Sequence, residues 1–191
     1  LKKFYPIPFE IEAITVDLGF KDFDTSRLKE YCESLGVNYT VCKTHIGEIV
    51  FDYRKEPNPC SLCSRMRKGA FNDCAAELGC NKIAYAHHKD DVILMSMLYE
   101  GRIHTFSPVT HLEKSGVTLI RPLIYALEGE IRAFARANDL PVCKNPCPAD
   151  GVTKRQESKD IIDELKVRVP DVKDRIFSSI EGAGIDGWSR H

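Results

Sequence analysis

Short runs of β-branched residues alternate with helix-like stretches along this 191-residue chain, and that alternation limits the fold more than any other feature. Glu10 to Val16 (EIEAITV) reads as a strand and ends at Asp17-Leu18-Gly19. Asp24 and Thr25 can cap a helix over about Ser26–Leu35, with Leu28, Tyr31, Cys32 and Leu35 as its apolar stripe and Gly36 as its stop. Asn38 to Cys42 reads as the next strand, so the opening predicts a parallel pair joined by a crossover helix. After the turn-rich Glu56-Pro57-Asn58-Pro59, Met66, Ala70, Cys74 and Leu78 recur on one face of a helix over about Ser64–Leu78, which Gly79 can cap. A strand over Lys82–Ala86 then leads through His87-His88-Lys89-Asp90-Asp91 into a helix running to about Tyr99, and Gly101 stops it. Thr118–Ile120 predicts a strand and Glu128–Asn138 a helix. The loop Pro141–Pro148 and two polar helix-like segments, Lys154–Arg168 and Asp171–Glu181, complete the chain. The expected fold class is α/β: a doubly wound, mostly parallel sheet with helices on both faces, plus C-terminal helices. Ligands in such folds bind at the carboxyl ends of the strands. The expected organisation is an α/β domain over residues 1–140, with a cysteine loop and helical segment over 141–191 packed on it.

Composition excludes several classes. Hydrophobic residues make up 43% and charged ones 29%, which suits a soluble globular chain and not a disordered one. No apolar run approaches the roughly 20 residues that span a bilayer, and no secretory signal is visible, so the expected location is the cytoplasm with no membrane partner. The net charge of -1 is uninformative, but its distribution is not. Arg54–Lys68 holds five basic side chains against one acidic, whereas Asp160–Asp186 holds four against seven. The basic cluster suits either a solvated helix face or an anionic partner.

Eight cysteines, locally spaced in what reads as an ordinary α/β chain, favour metal or redox chemistry over a disulfide framework. Cys60-Ser61-Leu62-Cys63 lies just before a helix, where two thiolates can share one metal centre and the helix terminus lowers a thiol pKa. This spacing suits a redox pair, half a zinc site or part of a cluster site. Cys143 and Cys147 have one residue too many between them for a second such pair, which fits a site taking only one of them. Cys32, Cys42, Cys74 and Cys80 read as packing thiols. Asp90 and Asp91 stand where a strand meets a helix. They suit Mg²⁺ beside phosphate oxygens, and equally a helix cap. Backbone at Asp17-Leu18-Gly19 suits an adenine edge or a plain turn, and Lys154-Arg155 suits phosphate or a solvated pair.

In this order the segments resemble the tRNA 2-thiocytidine synthetase family, a branch of the PP-loop ATP pyrophosphatases with an adenine nucleotide alpha hydrolase-like fold. The resemblance rests on Cys60-Ser61-Leu62-Cys63-Ser64-Arg65-Met66-Arg67-Lys68-Gly69, Glu77-Leu78-Gly79, Lys82-Ile83-Ala84, His87-His88-Lys89-Asp90-Asp91, Ile120-Arg121-Pro122-Leu123, Pro146-Cys147 and Lys154-Arg155-Gln156. It implies an ATP-dependent tRNA sulfurtransferase. Mg²⁺-ATP adenylates a base carbonyl, and sulfur then displaces AMP. It implies a 4Fe–4S cluster on Cys60, Cys63 and Cys147, with one iron left open to a sulfur species. It places Asp90 or Asp91 at Mg²⁺-ATP, backbone from Val16 through Asp17 to Leu18 at adenine, and Arg65, Arg67 and Lys68 at ATP phosphates or tRNA. His87 joins the nucleotide site. The implied partners are tRNA, a sulfur donor (a cysteine desulfurase or sulfide) and a second copy of the chain.

Three departures from the family pattern stand out. The opening strand and the Ser-Gly-Gly-Lys-Asp-Ser loop with its helix have no match, so residues 1–191 alone are expected to be ATP-deficient. After Asp91-Val92-Ile93 the chain is about three residues short, which would turn the following helix by nearly one turn. The second cysteine motif is not Cys-x-x-Cys, and Cys147 is aligned because it keeps the preceding proline. The competing expectations are a related enzyme acting on another substrate and a zinc-stabilised RNA-binding module without catalysis.

Overall fold

The computed structural model describes residues 2–92, 98–113, 115–151, 154–185 and 188, with only the backbone described at Val92 and Arg155. The shortfall expected after Ile93 falls on residues 93–97, outside the described residues. Among the described residues the protein is a mixed α/β structure with two small sheets. It divides into two compact units, residues 1–80 with 141–150, and residues 81–140 with 151–191.

In the first unit β1 (Glu12–Asp17) and β2 (Asn38–Lys43) pair in parallel, Glu12 opposite Asn38 and Asp17 opposite Lys43. α1 (Ser26–Ser34) is the crossover between them, as the alternation predicts. After β2 the chain folds into the short α2 (Ile46–Glu48) and a π-helical turn, Ile49–Tyr53, neither of which shows in the periodicity. They bury Ile46 and Val50, and α3 (Pro59–Glu77) adds buried Cys74 and Ala75. α3 begins at Pro59 and not near Ser64. Proline is pre-set for the first helical position, where its missing N–H costs nothing. Cys60 and Cys63 therefore lie inside the helix's opening turns rather than ahead of it.

In the second unit β3 (Lys82–Ala84), β4 (Val109–Leu112) and β5 (Val117–Ile120) form one sheet in the order β3-β5-β4. β3 runs parallel to β5, whereas β4 is antiparallel to it. Buried Ile83, Val117 and Leu119 come from this sheet. α4 (Lys89–Val92), α5 (Glu128–Ala137), α6 (Lys154–Arg168) and α7 (Val172–Ala183) follow. Ile124, Phe177 and Trp188 form one buried cluster, with Ile180 against it. Ile162 and Val172 form another with Ile176. No helix among the described residues is long and apolar enough to cross a membrane.

Candidate functional site

The cysteines at the start of α3 are set by Pro59, which places Cys60 and Cys63 three residues apart on neighbouring turns of one helix. Cys60 is exposed and Cys63 half-buried. The loop Pro141–Asp150 belongs to the same compact unit. Asn145 knits that loop: its Oδ1 accepts the Cys147 N–H (3.2 Å) and its Nδ2 donates to Asp150 Oδ1 (2.8 Å). Cys147 is half-buried and lies within electrostatic reach of Cys63. Burial pushes the Cys63 thiol up, the Arg67 guanidinium pulls it down, and the neighbouring Cys147 and Cys60 thiols add to the rise. Cys143 turns elsewhere, its thiol donating to the Asp24 carbonyl at 3.3 Å.

The donor set is all sulfur, which suits iron–sulfur clusters or zinc and not hard cations. Were the three to ionise, their charges would oppose one another unless a cation neutralised them. Among the described residues, no three His, Cys, Asp or Glu side chains close tightly enough to grip a single ion. Arg65, Arg67 and Lys68 are exposed on α3, and Arg67 is the one that acts on Cys63. Of the remaining cysteines, Cys74 is buried and Cys42 donates its thiol weakly to Ala70 O (3.9 Å). Both sit in packing environments.

The segment from Val16 to Leu18 ends β1, and much of its polar backbone is engaged. Asp17 O accepts from Thr44 N–H (2.9 Å) and Thr44 Oγ1 (2.8 Å), and Leu18 O accepts from Gly47 N–H (2.7 Å). A Cβ on Gly47 would meet Leu18 O at 2.9 Å and the Phe20 ring at 2.8 Å. Because that carbonyl is backbone fixed by its own bond from the Gly47 N–H, Gly47→Ala is expected to lower stability by about 1–3 kcal/mol. Urea denaturation checks it, and an unchanged midpoint would show that the turn tolerates a side chain.

The acidic pair lies in the second unit. Asp91 Oδ2 accepts the His88 N–H (3.1 Å), a carboxylate reaching back to the start of its own helix. Asp90 reaches further. Its Oδ2 accepts the Glu128 N–H at the opening of α5 (2.8 Å), and its Oδ1 takes Lys173 Nζ of α7 (2.6 Å). Both Asp90 oxygens thus carry protein partners, and the side chain is only 7% exposed. Lys89 pairs in turn with Asp174 (2.5 Å) and lies over the Phe177 ring, so adjacent residues of α4 and α7 pair crosswise. Burial pushes the Asp90 carboxyl up, but the Glu128 N–H, the Lys173 ammonium and His88 outweigh it and hold the group below the ordinary aspartate value. His87 stacks on Phe106 with ring centres 4.2 Å apart. Lys154 binds Glu157 (2.8 Å) and covers the Tyr99 ring, while the Arg155 side chain lies outside the described residues. Lys173 and Glu128 escape sequence reasoning, because nothing local links them to a carboxylate 83 and 38 residues away.

No protein-family model matches the chain. Individual proteins do. The tRNA-cytidine(32) 2-sulfurtransferase of Pelobacter propionicus is 32% identical over 186 residues, covering 94% of this chain and 69% of that protein. The protein of the same name from Syntrophotalea carbinolica is 32% identical over 189 residues, covering 94% and 72%. Among solved structures, the U34-tRNA thiolase NcsA from Methanococcus maripaludis with its 4Fe–4S cluster superposes with a TM-score of 0.73 at 26% identity. That match covers 95% of this chain and 63% of the thiolase, so the chain spans less than two thirds of the thiolase's length.

Proposed function

Because the chain belongs to the tRNA-cytidine(32) 2-sulfurtransferase family, we propose that it serves ATP-dependent transfer of sulfur to a tRNA base, a cytidine, through adenylation of that base. The observation that carries the reading is that Cys60, Cys63 and Cys147 belong to one compact unit, with Cys63 near enough to both others to feel their charge. These three would hold a 4Fe–4S cluster. Cys147 is favoured over Cys143, whose thiol is turned to Asp24. A cluster held by three thiolates leaves one iron without a protein ligand, open to a sulfur species. Arg67 favours the Cys63 thiolate over the thiol, and Arg65 and Lys68 present positive charge on the same helix to tRNA or ATP phosphates.

Asp90 or Asp91 would serve Mg²⁺-ATP; Asp90 is engaged by Lys173 and Glu128, and Asp91 by His88. His87 would join this nucleotide site at the carboxyl end of β3. For the first unit, the resemblance supports backbone from Val16 to Leu18 as the part that would meet adenine. The parallel pairings β1–β2 and β3–β5 support a doubly wound, mostly parallel sheet with helices on both faces. The family's first strand and pyrophosphate loop have no match within residues 1–191. The proposed partners are tRNA, a sulfur donor and a second copy of the chain, in the cytoplasm. Arrangement of residues 1–140 as the α/β domain, with 141–191 packed on it, is part of the same reading.

Nucleoside analysis of tRNA tests this proposal. Anaerobic protein carrying this chain, given ATP, Mg²⁺ and sulfide, is expected to form 2-thiocytidine and to form none without ATP. A thiolated uridine in its place would move the assignment to a relative acting on another base, as the name of the matching thiolase does. No thionucleoside from cluster-loaded protein would contradict it.

A further inference from the structure

Arg121 follows directly on β5 and is 9% exposed, one of three buried polar or charged residues among those described. Its backbone N–H donates to Pro108 O (3.0 Å). Its Nη1 donates to Ser107 O and to Thr110 Oγ1 (3.3 Å), whereas its buried Nε–H has no partner among the described residues. The guanidinium lies over the Phe106 ring (5.1 Å), which stacks on His87 (4.2 Å), and His87 in turn meets Tyr85 edge-on. Burial weakens the guanidinium's hold on its proton, and the neighbour that opposes this is a phenol, Tyr85, not a carboxylate.

Two features make this arrangement unusual for a structural arginine. A buried cation without a counter-charge costs several kcal/mol, and here no aspartate or glutamate among the described residues pairs with it. A ligand oxyanion would supply the missing charge. The second feature is position. Tyr85 N–H donates to Ile120 O (3.0 Å), so the carboxyl ends of parallel β3 and β5 lie side by side, with His87 and Arg121 on the segments leaving them. That edge is where open α/β sheets bind ligands.

We infer that Arg121 is an anion-binding residue, taking a phosphate oxyanion along its unpartnered Nε edge at the carboxyl end of the β3–β5 pair. One edge of a guanidinium matches two phosphate oxygens at once. Nη1, on the other edge, is already spent on fixing the Ser107–Thr110 segment, which holds the Phe106 platform in place. The phosphate belongs to a free nucleotide or to an RNA backbone. The inference rests on the thiolation reading only for that choice of probes.

The chain carries one tryptophan, and Trp188 Nε1 donates to Phe106 O (3.0 Å), so its emission reports on the platform beneath Arg121. Excited at the red edge of its absorption, Trp188 is expected to respond saturably to AMP or pyrophosphate, to a short RNA, or to both, and not to adenosine. A response to AMP alone assigns a nucleotide phosphate, and a response to RNA alone assigns the backbone. Arg121→Gln is expected to weaken binding by about tenfold or more, and Arg121→Lys by less. If Arg121→Gln fails to fold, the Arg121 Nε–H resonance of the wild-type protein replaces it, and this signal is expected to move with the phosphate ligand but not with adenosine. Silence toward every phosphate probe, equal response to adenosine, a folded Arg121→Gln that titrates like wild type, or an unmoved Nε–H signal would overturn the inference. None of these readouts involves sulfur transfer or the cluster, so failure here leaves the thiolation reading to its own test.

Discussion

Cys63→Ala is expected to abolish both cluster binding and sulfur transfer, a loss on the order of a hundredfold or more. Cys63 feels the charge of both other thiols and of the Arg67 guanidinium, so its removal would delete the proposed ligand that links the set. Cys60→Ala and Cys147→Ala are expected to match it, since a cluster left on two thiolates exposes two irons to solvent. Cys74→Ala is the control. That thiol is buried against Cys42, and its loss should cost about 1 kcal/mol of stability while sparing cluster and activity. Cys143→Ala is the sharper comparison, because Cys143 shares the loop but donates to Asp24. The ultraviolet–visible spectrum of anaerobic protein and the 2-thiocytidine content of tRNA read both outcomes. A cluster that survived Cys147→Ala and vanished with Cys143→Ala would reverse the ligand assignment.

Asp90→Asn should have the second largest effect. Breaking a buried pair strands the partner charge, and with Asp90 7% and Lys173 24% exposed the expected cost is on the order of 3 kcal/mol. The same substitution loosens the cap that Asp90 provides for α5. The pH dependence identifies the pair. Asp90 is held below its ordinary value in the folded protein, so its contribution is full above the unfolded aspartate pKa of about 3.9 and is lost as pH falls through the folded value. For Lys173, burial pulls the ammonium down, but Asp90, Asp163 and Glu128 more than restore it, and the net shift is upward. Its contribution is therefore full below about pH 10.4 and lost as pH rises through the folded value. Wild type is expected to lose stability at both extremes, and Asp90→Asn to show a flatter profile between them. The crosswise pairing offers a rescue, because Asp90→Lys with Lys173→Asp restores opposite charges and should recover part of the loss. Denaturant midpoints across pH decide it. An Asp90→Asn variant as stable as wild type at neutral pH would show that the contact carries no net free energy.

The β1–α1–β2 crossover was legible because each piece carries its own local signal. These are alternation, a stripe at Leu28, Tyr31 and Cys32, and a glycine at φ +63° where the helix must stop. The spacing places the start of α3 too late because the apolar stripe begins at Met66, whereas the helix is launched by Pro59, seven residues earlier. That shift matters for the site, since it turns a loop motif into a rigid helical one. β4 went unread because Val109–Leu112 is four residues long and gains its identity only from pairing with β5. For the site, Cys60 and Cys63 announce themselves by spacing, but Cys147 does not. Its nearness to Cys63 is a product of the fold, and its proposed role as a ligand follows from the resemblance. The roles of Asp90 are divided in the same way. Its place at a strand end is local information, whereas its engagement by Lys173 depends on α7 returning to α4.

Iron and acid-labile sulfide, measured together on protein purified without oxygen, test the three-thiol centre most directly. About four of each per chain are expected, with brown colour that fades in air. Colourless protein holding one zinc and no sulfide would contradict the cluster and leave the cysteines a structural clasp.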